Sequence, residues 1–427
     1  MKEKNEFKEK LYGKDFLLVL IGQIISLFGN QILRFALPLY LLNQTDSAAL
    51  FGIISACSFL PMIILSPIGG IIADRTNKRN IMVILDFSTA ALVLGFTLLL
   101  GKIDLVGLLL VTLVFLYGIQ GAYQPAVQAS LPVLVAPNGL LQANAMINLV
   151  NSLAGLIGPV IGGALYAFFG LTPILYVSIF CFLFSAIMEI FIHIPFEKKE
   201  SSSNIFAIAI DDLKESFSFM KHKQPTIWKI SLIIASINLF LSALIIIGLP
   251  VIVTQTLNFD AEFGSQLYGY SQGALAAGSL TGGIITGLLS KRLNADNSYL
   301  LLFLCTLTLL PIGVALAFPI PAMASYIIIV VSCFFMMLLA TLFSIQMMAY
   351  LQMLTPSHLI GKVISCTMCI GMCASPLGQA MYGTLFQVFA KSPSVIFFGA
   401  AVISCIISLL SKEIFTGIKQ TVSVTTN

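Results

Sequence analysis

Charge is what this sequence has least of. Asp, Glu, Lys and Arg together make up 9% of its 427 residues, where a soluble domain carries roughly a quarter. So few ionic groups cannot cover a water-facing surface, and with a mean hydropathy of +1.00 the bilayer must be the solvent. A Gly-rich phosphate loop of the Gly-x4-Gly-Lys-Ser/Thr type is absent, which leaves ATP hydrolysis by this chain unsupported. Basic and aromatic residues are not interleaved, so the net charge of +4 does not point to nucleic acid. The eight cysteines all fall inside apolar runs, where they act as small hydrophobes, and no disulfide is expected. Met1 to Lys14 is charged and leads into an apolar run without a small-residue cleavage site, so a retained first helix is expected rather than a cleaved signal peptide.

What the chain does have is apolar length. A helix needs about 20 apolar residues to cross a hydrocarbon core, and twelve such stretches can be marked off by charges and turn residues. Of the 22 Lys and Arg, 19 fall in segments on one side of these stretches, and only Lys102 and Lys391 fall on the other. That asymmetry predicts a multi-pass protein of the cell membrane, inner or plasma, with both termini cytoplasmic. One long polar interruption, 196–225, reads as a cytoplasmic linker. Its second part places Ile210, Leu213, Phe217 and Met220 at helical spacing, as in a short amphipathic helix lying on the inner face. The expected organisation is therefore an N-terminal six-helix bundle over 1–195, the linker over 196–225, and a C-terminal six-helix bundle with its tail over 226–427.

The two halves resemble each other. Gly69-Gly70-Ile71-Ile72 and Lys78-Arg79 recur as Gly282-Gly283-Ile284-Ile285 and Lys291-Arg292, at a constant offset of 213. Leu37-Pro38 matches Leu249-Pro250, and Pro159 matches Pro376. Such repeats typify transporters whose substrate site lies near the midplane between their halves. The fold class expected is an all-α membrane protein, with twelve transmembrane helices in two pseudo-symmetric six-helix bundles.

After the second apolar run the chain reads Gly70-Ile-Ile-Ala-Asp74-Arg75-Thr-Asn-Lys78-Arg79. This resembles the loop signature of the major facilitator superfamily. In that family the Asp meets the start of helix 11 when the cytoplasmic side is closed, and here that start offers Ser357 as an N-cap. A plain positive-inside anchor is the alternative. The second copy has Gly287-Leu288 in place of Asp74-Arg75, so the expected latch is asymmetric. Gly155, Gly158, Pro159, Gly162 and Gly163 are similar to a motif the family associates with antiporter-type exporters, although such glycines also serve helix packing alone. Tyr123-Gln124-Pro125-Ala126, Leu131-Pro132, Leu141-Gln142-Ala143-Asn144 and Gly158-Pro159 resemble the branch that holds macrolide efflux and enterobactin-type exporters. Many proton-driven drug exporters of the superfamily carry an Arg in helix 4. Here Leu116 to Gly121 has no basic residue, which excludes proton coupling through it.

Ionisable groups within the apolar runs are few: Arg34, Asp86, Glu189 and His193. Each is costly in lipid and is a functional candidate by default. Asp86 reads as a proton carrier or as a group reaching inner-face water. Glu189 and His193, four residues apart, are further proton-coupling candidates, or an interfacial pair. Gln23, Asn30 and Arg34 form one helical stripe. The resemblance implies a cavity on helices 1, 4, 7 and 10, whose candidates are Gln23, Asn30, Arg34, Tyr117, Gln120, Tyr123, Asn238, Phe240, Gln346, Met347 and Tyr350. Such a lining suits a bulky, mainly apolar ligand.

Three signals are set aside. Gly269-Tyr270-Ser271-Gln272-Gly273 matches a nucleophile pattern but falls within an apolar helix. Cys366, Cys369 and Cys373 share a helix face without a polar second layer, so no metal site is expected. Asn43-Gln44-Thr45 is a glycosylation sequon of consequence only in a eukaryotic secretory route. The expectation is a secondary exporter of small amphipathic molecules, drug-, macrolide- or siderophore-like, working by alternating access as a proton antiporter. It needs no cofactor, has membrane lipid as its surroundings and acts as a monomer. A lipid or lysophospholipid flippase is the alternative, and a membrane receptor or enzyme a distant third.

Overall fold

The computed structural model describes residues 13–135, 139–194, 213–289, 298–356 and 359–425. Ile210, Ser357 and the second basic pair Lys291-Arg292 lie outside them, and so does the side chain of Asp74. The described residues are helical almost throughout. The first half holds α1 (Lys14–Thr45), α2 (Ala48–Arg75), α3 (Lys78–Leu99), α4 (Leu105–Leu134), α5 (Leu140–Phe169) and α6 (Leu171–Ile190). The second holds α7 (Pro225–Thr256), α8 (Ala261–Leu289), α9 (Ser298–Ala317), α10 (Ala322–Leu354), α11 (Ile360–Val388) and α12 (Ser394–Thr425).

Eleven of these are long and apolar enough to cross a membrane. The twelfth, α8, has the length, but its Gly, Ser, Gln and Tyr residues dilute its hydropathy. Gly269 to Gly273 falls in the middle of α8, so the Ser there sits on a regular helix and not on a strand-to-helix elbow. Local chemistry sets several boundaries. Asp104 caps α4 by accepting from the Gly107 amide at 2.7 Å, and Asn77 caps α3 by accepting from the Arg79 amide at 3.1 Å. Gly170, at φ +72°, ends α5 in the left-handed region that glycine tolerates best.

The chain divides into two compact units, one of residues 1–44 and 57–207, the other of 45–56 and 208–427. The second therefore takes in the start of α2 and the end of the polar linker. Packing explains both. A Cβ on Gly52 would lie 2.7 Å from the Gly383 Cα of α11, and the Ser47 hydroxyl donates to Gln387 at 3.4 Å. In the linker, Ser216, Phe219 and Met220 are buried, Met220 beside Ser231 and Thr367. Leu213 and Phe217 of the expected apolar stripe are exposed. Phe217 packs edge-on against Trp228, with ring centroids 5.0 Å apart.

The internal repeat reappears as packing. A Cβ on Gly69 of α2 would lie 2.6 Å from the Ala122 Cα of α4, and one on Gly282 of α8 would lie 2.6 Å from the Leu338 carbonyl oxygen of α10. The first glycine of each repeated pair thus brings a helix of its own half to backbone contact, a use of small residues typical of membrane helix pairs.

A buried carboxylate cluster and a polar ladder in the first unit

Helix α1 is the hub of the first unit, and its missing side chains explain why. A Cβ on Gly158 of α5 would lie 2.7 Å from the Gln31 Cβ, and one on Gly162 would lie 3.3 Å from the Phe35 ring. From another side, a Cβ on Gly29 would meet the Cys181 Cβ of α6 at 3.0 Å. Beside this close approach of α5 and α6, Gln23 and Asn30 of the polar stripe are buried and bond to α4, and Ser26 bonds to α3. Gly155 has open space around its Cβ position, so of the exporter-type glycines it is Gly158 and Gly162 that make this approach.

The stripe is spent on a cross-helix ladder. Gln23 Nε2 donates to the Tyr123 hydroxyl at 2.7 Å, and that hydroxyl donates to Glu189 Oε1 at 2.7 Å. Ser26 Oγ donates to Asp86 Oδ1 at 3.0 Å. One turn further along α1, the Asn30 amide donates to Gln120. Gln23, Asp86 and Glu189 are each at most 2% exposed, and Asp86 and Glu189 are near enough to interact electrostatically.

Three acceptors of this cluster are left over. Gln23 Oε1, Asp86 Oδ2 and Glu189 Oε2 are buried and make no hydrogen bond. Buried polar atoms are rarely left so, and all three lack the same thing, a proton donor or a cation. Among the described residues no group of three His, Cys, Asp or Glu could hold a metal ion.

The ladder continues to Arg34, one turn beyond Asn30. Its guanidinium lies 4.0 Å from the centroid of the Tyr117 ring, which packs edge-on against Phe59 at 5.9 Å. Arg34 and Tyr117 are partly exposed, whereas Gln23, Asn30, Gln120 and Tyr123 are buried against one another. No described carboxylate lies within ion-pair distance of Arg34. A cation over an aromatic ring gains about 0.5–2 kcal/mol, while an Arg at the centre of a membrane helix costs about 2.5–3.5 kcal/mol. The ring alone does not offset the charge.

His193 does not pair with Glu189. Its side chain is exposed and its backbone N–H donates to Asp15 Oδ1 at 2.9 Å, while Glu189 turns inward to Tyr123. Of the second-unit candidates, Met347 is fully buried and Gln346 accepts from Ser298 at 3.0 Å. Tyr350 is buried as well. Asn238 and Phe240 are half-buried and open a π-helical stretch, Asn238–Ser242, a local widening often found at functional sites. In the signature after α2, Arg75, Lys78 and Arg79 are partly exposed, and a Cβ on Gly70 would meet only the Pro125 Cβ, at 3.9 Å. Ser26 and Phe59 were not among the sequence candidates, nor was Ser185 of α6, whose hydroxyl donates to the Gly22 carbonyl oxygen at 3.1 Å. Ser26 sits on the Gln23, Asn30, Arg34 stripe and was legible there; the other two declare themselves only through packing.

A family profile described as the Major Facilitator Superfamily matches residues 19–379. Macrolide efflux protein A of Streptococcus pyogenes is 23% identical over 381 residues, covering 88% of this chain and 89% of that protein. The lysophospholipid transporter LplT of Photorhabdus laumondii subsp. laumondii is 33% identical over 149 residues, 34% of this chain and 35% of that one. Among solved structures, a crystal structure of the nucleoside transporter NupG superposes with a TM-score of 0.74 at 12% identity, covering 94% of this chain and 99% of that one.

Proposed function

Since this chain belongs to the major facilitator superfamily and is a multi-pass membrane transporter rather than an enzyme, we propose that it is a secondary exporter of small amphipathic molecules, drug-, macrolide- or siderophore-like, exchanging them for protons. The observation that carries the coupling half of this reading is the set of three unpaired acceptors on Gln23, Asp86 and Glu189. Protons are the smallest species that supply what those oxygens lack. Two buried carboxylates repel when both are ionised. Loss of a proton from this cluster therefore strains α1, α3, α4 and α6 together, because each contributes one of its members. Alternating access of the two halves then converts proton exchange into substrate movement. The resemblance to macrolide efflux protein A over most of both chains supports the export direction. Both termini are cytoplasmic in this reading, and the protein works as a monomer.

The test is efflux of a substrate panel from a pump-deficient host, with the proton gradient collapsed and restored. Asp86→Asn is expected to leave a residual flux that no longer responds to the gradient. Gradient-driven export at the wild-type rate by that variant would overturn the coupling assignment. A second reading, a lysophospholipid flippase, is favoured by the local similarity to LplT and predicts translocation of labelled lysolipid in proteoliposomes. If neither small molecule nor lipid moves under an imposed gradient, both transport readings fail.

A further inference from the structure

Arg34 stands 20 residues into α1, about 30 Å from its Lys14 end and about 16 Å from its Thr45 end at 1.5 Å per residue. That depth lies within a hydrocarbon core about 30 Å thick. The carboxylates of the first unit do not serve it. Asp86 is held by Ser26, eight residues or about 12 Å back along α1, and Glu189 is held by Tyr123 at the Gln23 level. The guanidinium donates no hydrogen bond to any described residue and has one face on the Tyr117 ring. Arg34 is partly exposed.

The stack is built rather than incidental. The Asn30–Gln120 hydrogen bond fixes α1 against α4 one turn away, four residues from Arg34 and three from Tyr117. Phe59 of α2 packs edge-on against the same ring. A guanidinium over an aromatic ring still carries its planar fork of N–H donors, the geometry that takes a carboxylate or phosphate in two parallel hydrogen bonds. A lysine offers no such fork. The ring does not offset the charge, and no described carboxylate lies within ion-pair distance of it.

We propose that Arg34, laid on Tyr117, is the anion subsite of the transported molecule, so that the substrate is an amphipath bearing a carboxylate or phosphate headgroup and not a cationic amine. This rests on the reading of the chain as a transporter. It adds the sign of the substrate's charge and the group that reads it.

The experiment uses the full chain in nanodiscs with three probes that share a twelve-carbon tail: dodecyl phosphate, dodecyl maltoside and dodecyltrimethylammonium. Wild type is expected to bind dodecyl phosphate at least about tenfold more tightly than the trimethylammonium probe, a difference of about 1.4 kcal/mol or more. Arg34→Gln removes that preference, Arg34→Lys keeps part of it, and Arg34→Glu inverts it. Tyr117→Phe retains it because the ring is kept, whereas Tyr117→Leu weakens it several-fold. An unchanged preference in Arg34→Gln, or no preference in wild type, overturns the proposal. Lysophosphatidic acid as competitor separates the sources: competition equal to that of dodecyl phosphate indicates a free small-molecule anion, and stronger competition a lipid headgroup. Flux in proteoliposomes separates the two layers of inference. An Arg34-dependent preference without flux of any probe sinks the transporter reading alone, and flux indifferent to Arg34→Gln sinks the subsite alone.

Discussion

Tyr123 is the most exacting place to test the carboxylate cluster, because its hydroxyl accepts from Gln23 and donates to Glu189, both at 2.7 Å, in a side chain that is 4% exposed. Tyr123→Phe deletes that bridge without changing the ring. Its energetic consequence depends on the charge state of Glu189. If Glu189 carries its proton, the bridge is a neutral hydrogen bond between membrane helices, for which coupling energies average about 0.6 kcal/mol and reach about 1.7. If Glu189 is ionised, the deletion strips a donor from a buried charge, a loss of about 1.5–3 kcal/mol. The assay is a double-mutant cycle of Tyr123→Phe and Glu189→Gln, with unfolding followed in detergent micelles at mildly acidic and mildly alkaline pH. For an exchangeable proton, the coupling energy is expected to be near 1 kcal/mol or below at the acidic end and to grow as pH rises and the proton leaves. The sign follows from the donor: Tyr123 stabilises the anion more than the neutral acid. A coupling above about 2 kcal/mol at both pH values would mark a permanent structural ion and refute the proton-exchange reasoning. A coupling of zero at both would refute the bridge itself.

Packing and gating give further tests. Gly158→Ala forces a methyl onto Gln31 and is expected to cost about 1–3 kcal/mol of thermal stability in detergent, while Gly155→Ala, with open space at its Cβ position, leaves the melting point unchanged. Gly69→Ala and Gly282→Ala should destabilise alike, because each glycine meets helix backbone at 2.6 Å; if only one does, the halves do not pack equivalently. Asp74→Asn is expected to weaken the cytoplasm-closed state, seen as greater labelling of introduced cysteines from that side, and unchanged labelling would leave the signature as an anchor alone.

Much of this protein is written in local pattern. Apolar length and the lack of charge are enough to specify membrane helices, since a helix satisfies its own backbone in lipid wherever its neighbours lie. The offset of 213 between the Gly-Gly-Ile-Ile copies foretold two alike halves, and the first glycine of each copy does meet helix backbone. The stripe of Gln23, Asn30 and Arg34 follows from the helical period alone.

Partnership across helices does not follow from that period. Glu189 and His193 are spaced as neighbours on one helix face, yet the helix ends at Ile190, and Glu189 bonds to Tyr123, 66 residues away, because Gly22 and Gly29 let α6 close on α1 and carry the carboxylate into the unit. Gln23, Asn30 and Arg34 look equivalent in sequence, but the crossing of α1 and α4 gives the first two buried partners and leaves Arg34 on an aromatic ring at partial exposure. The sequence by itself determined which residues share a face. The tertiary structure decided which faces meet, because the register between two helices is set by the depth to which small residues let their backbones approach, and that depth is a property of the pair.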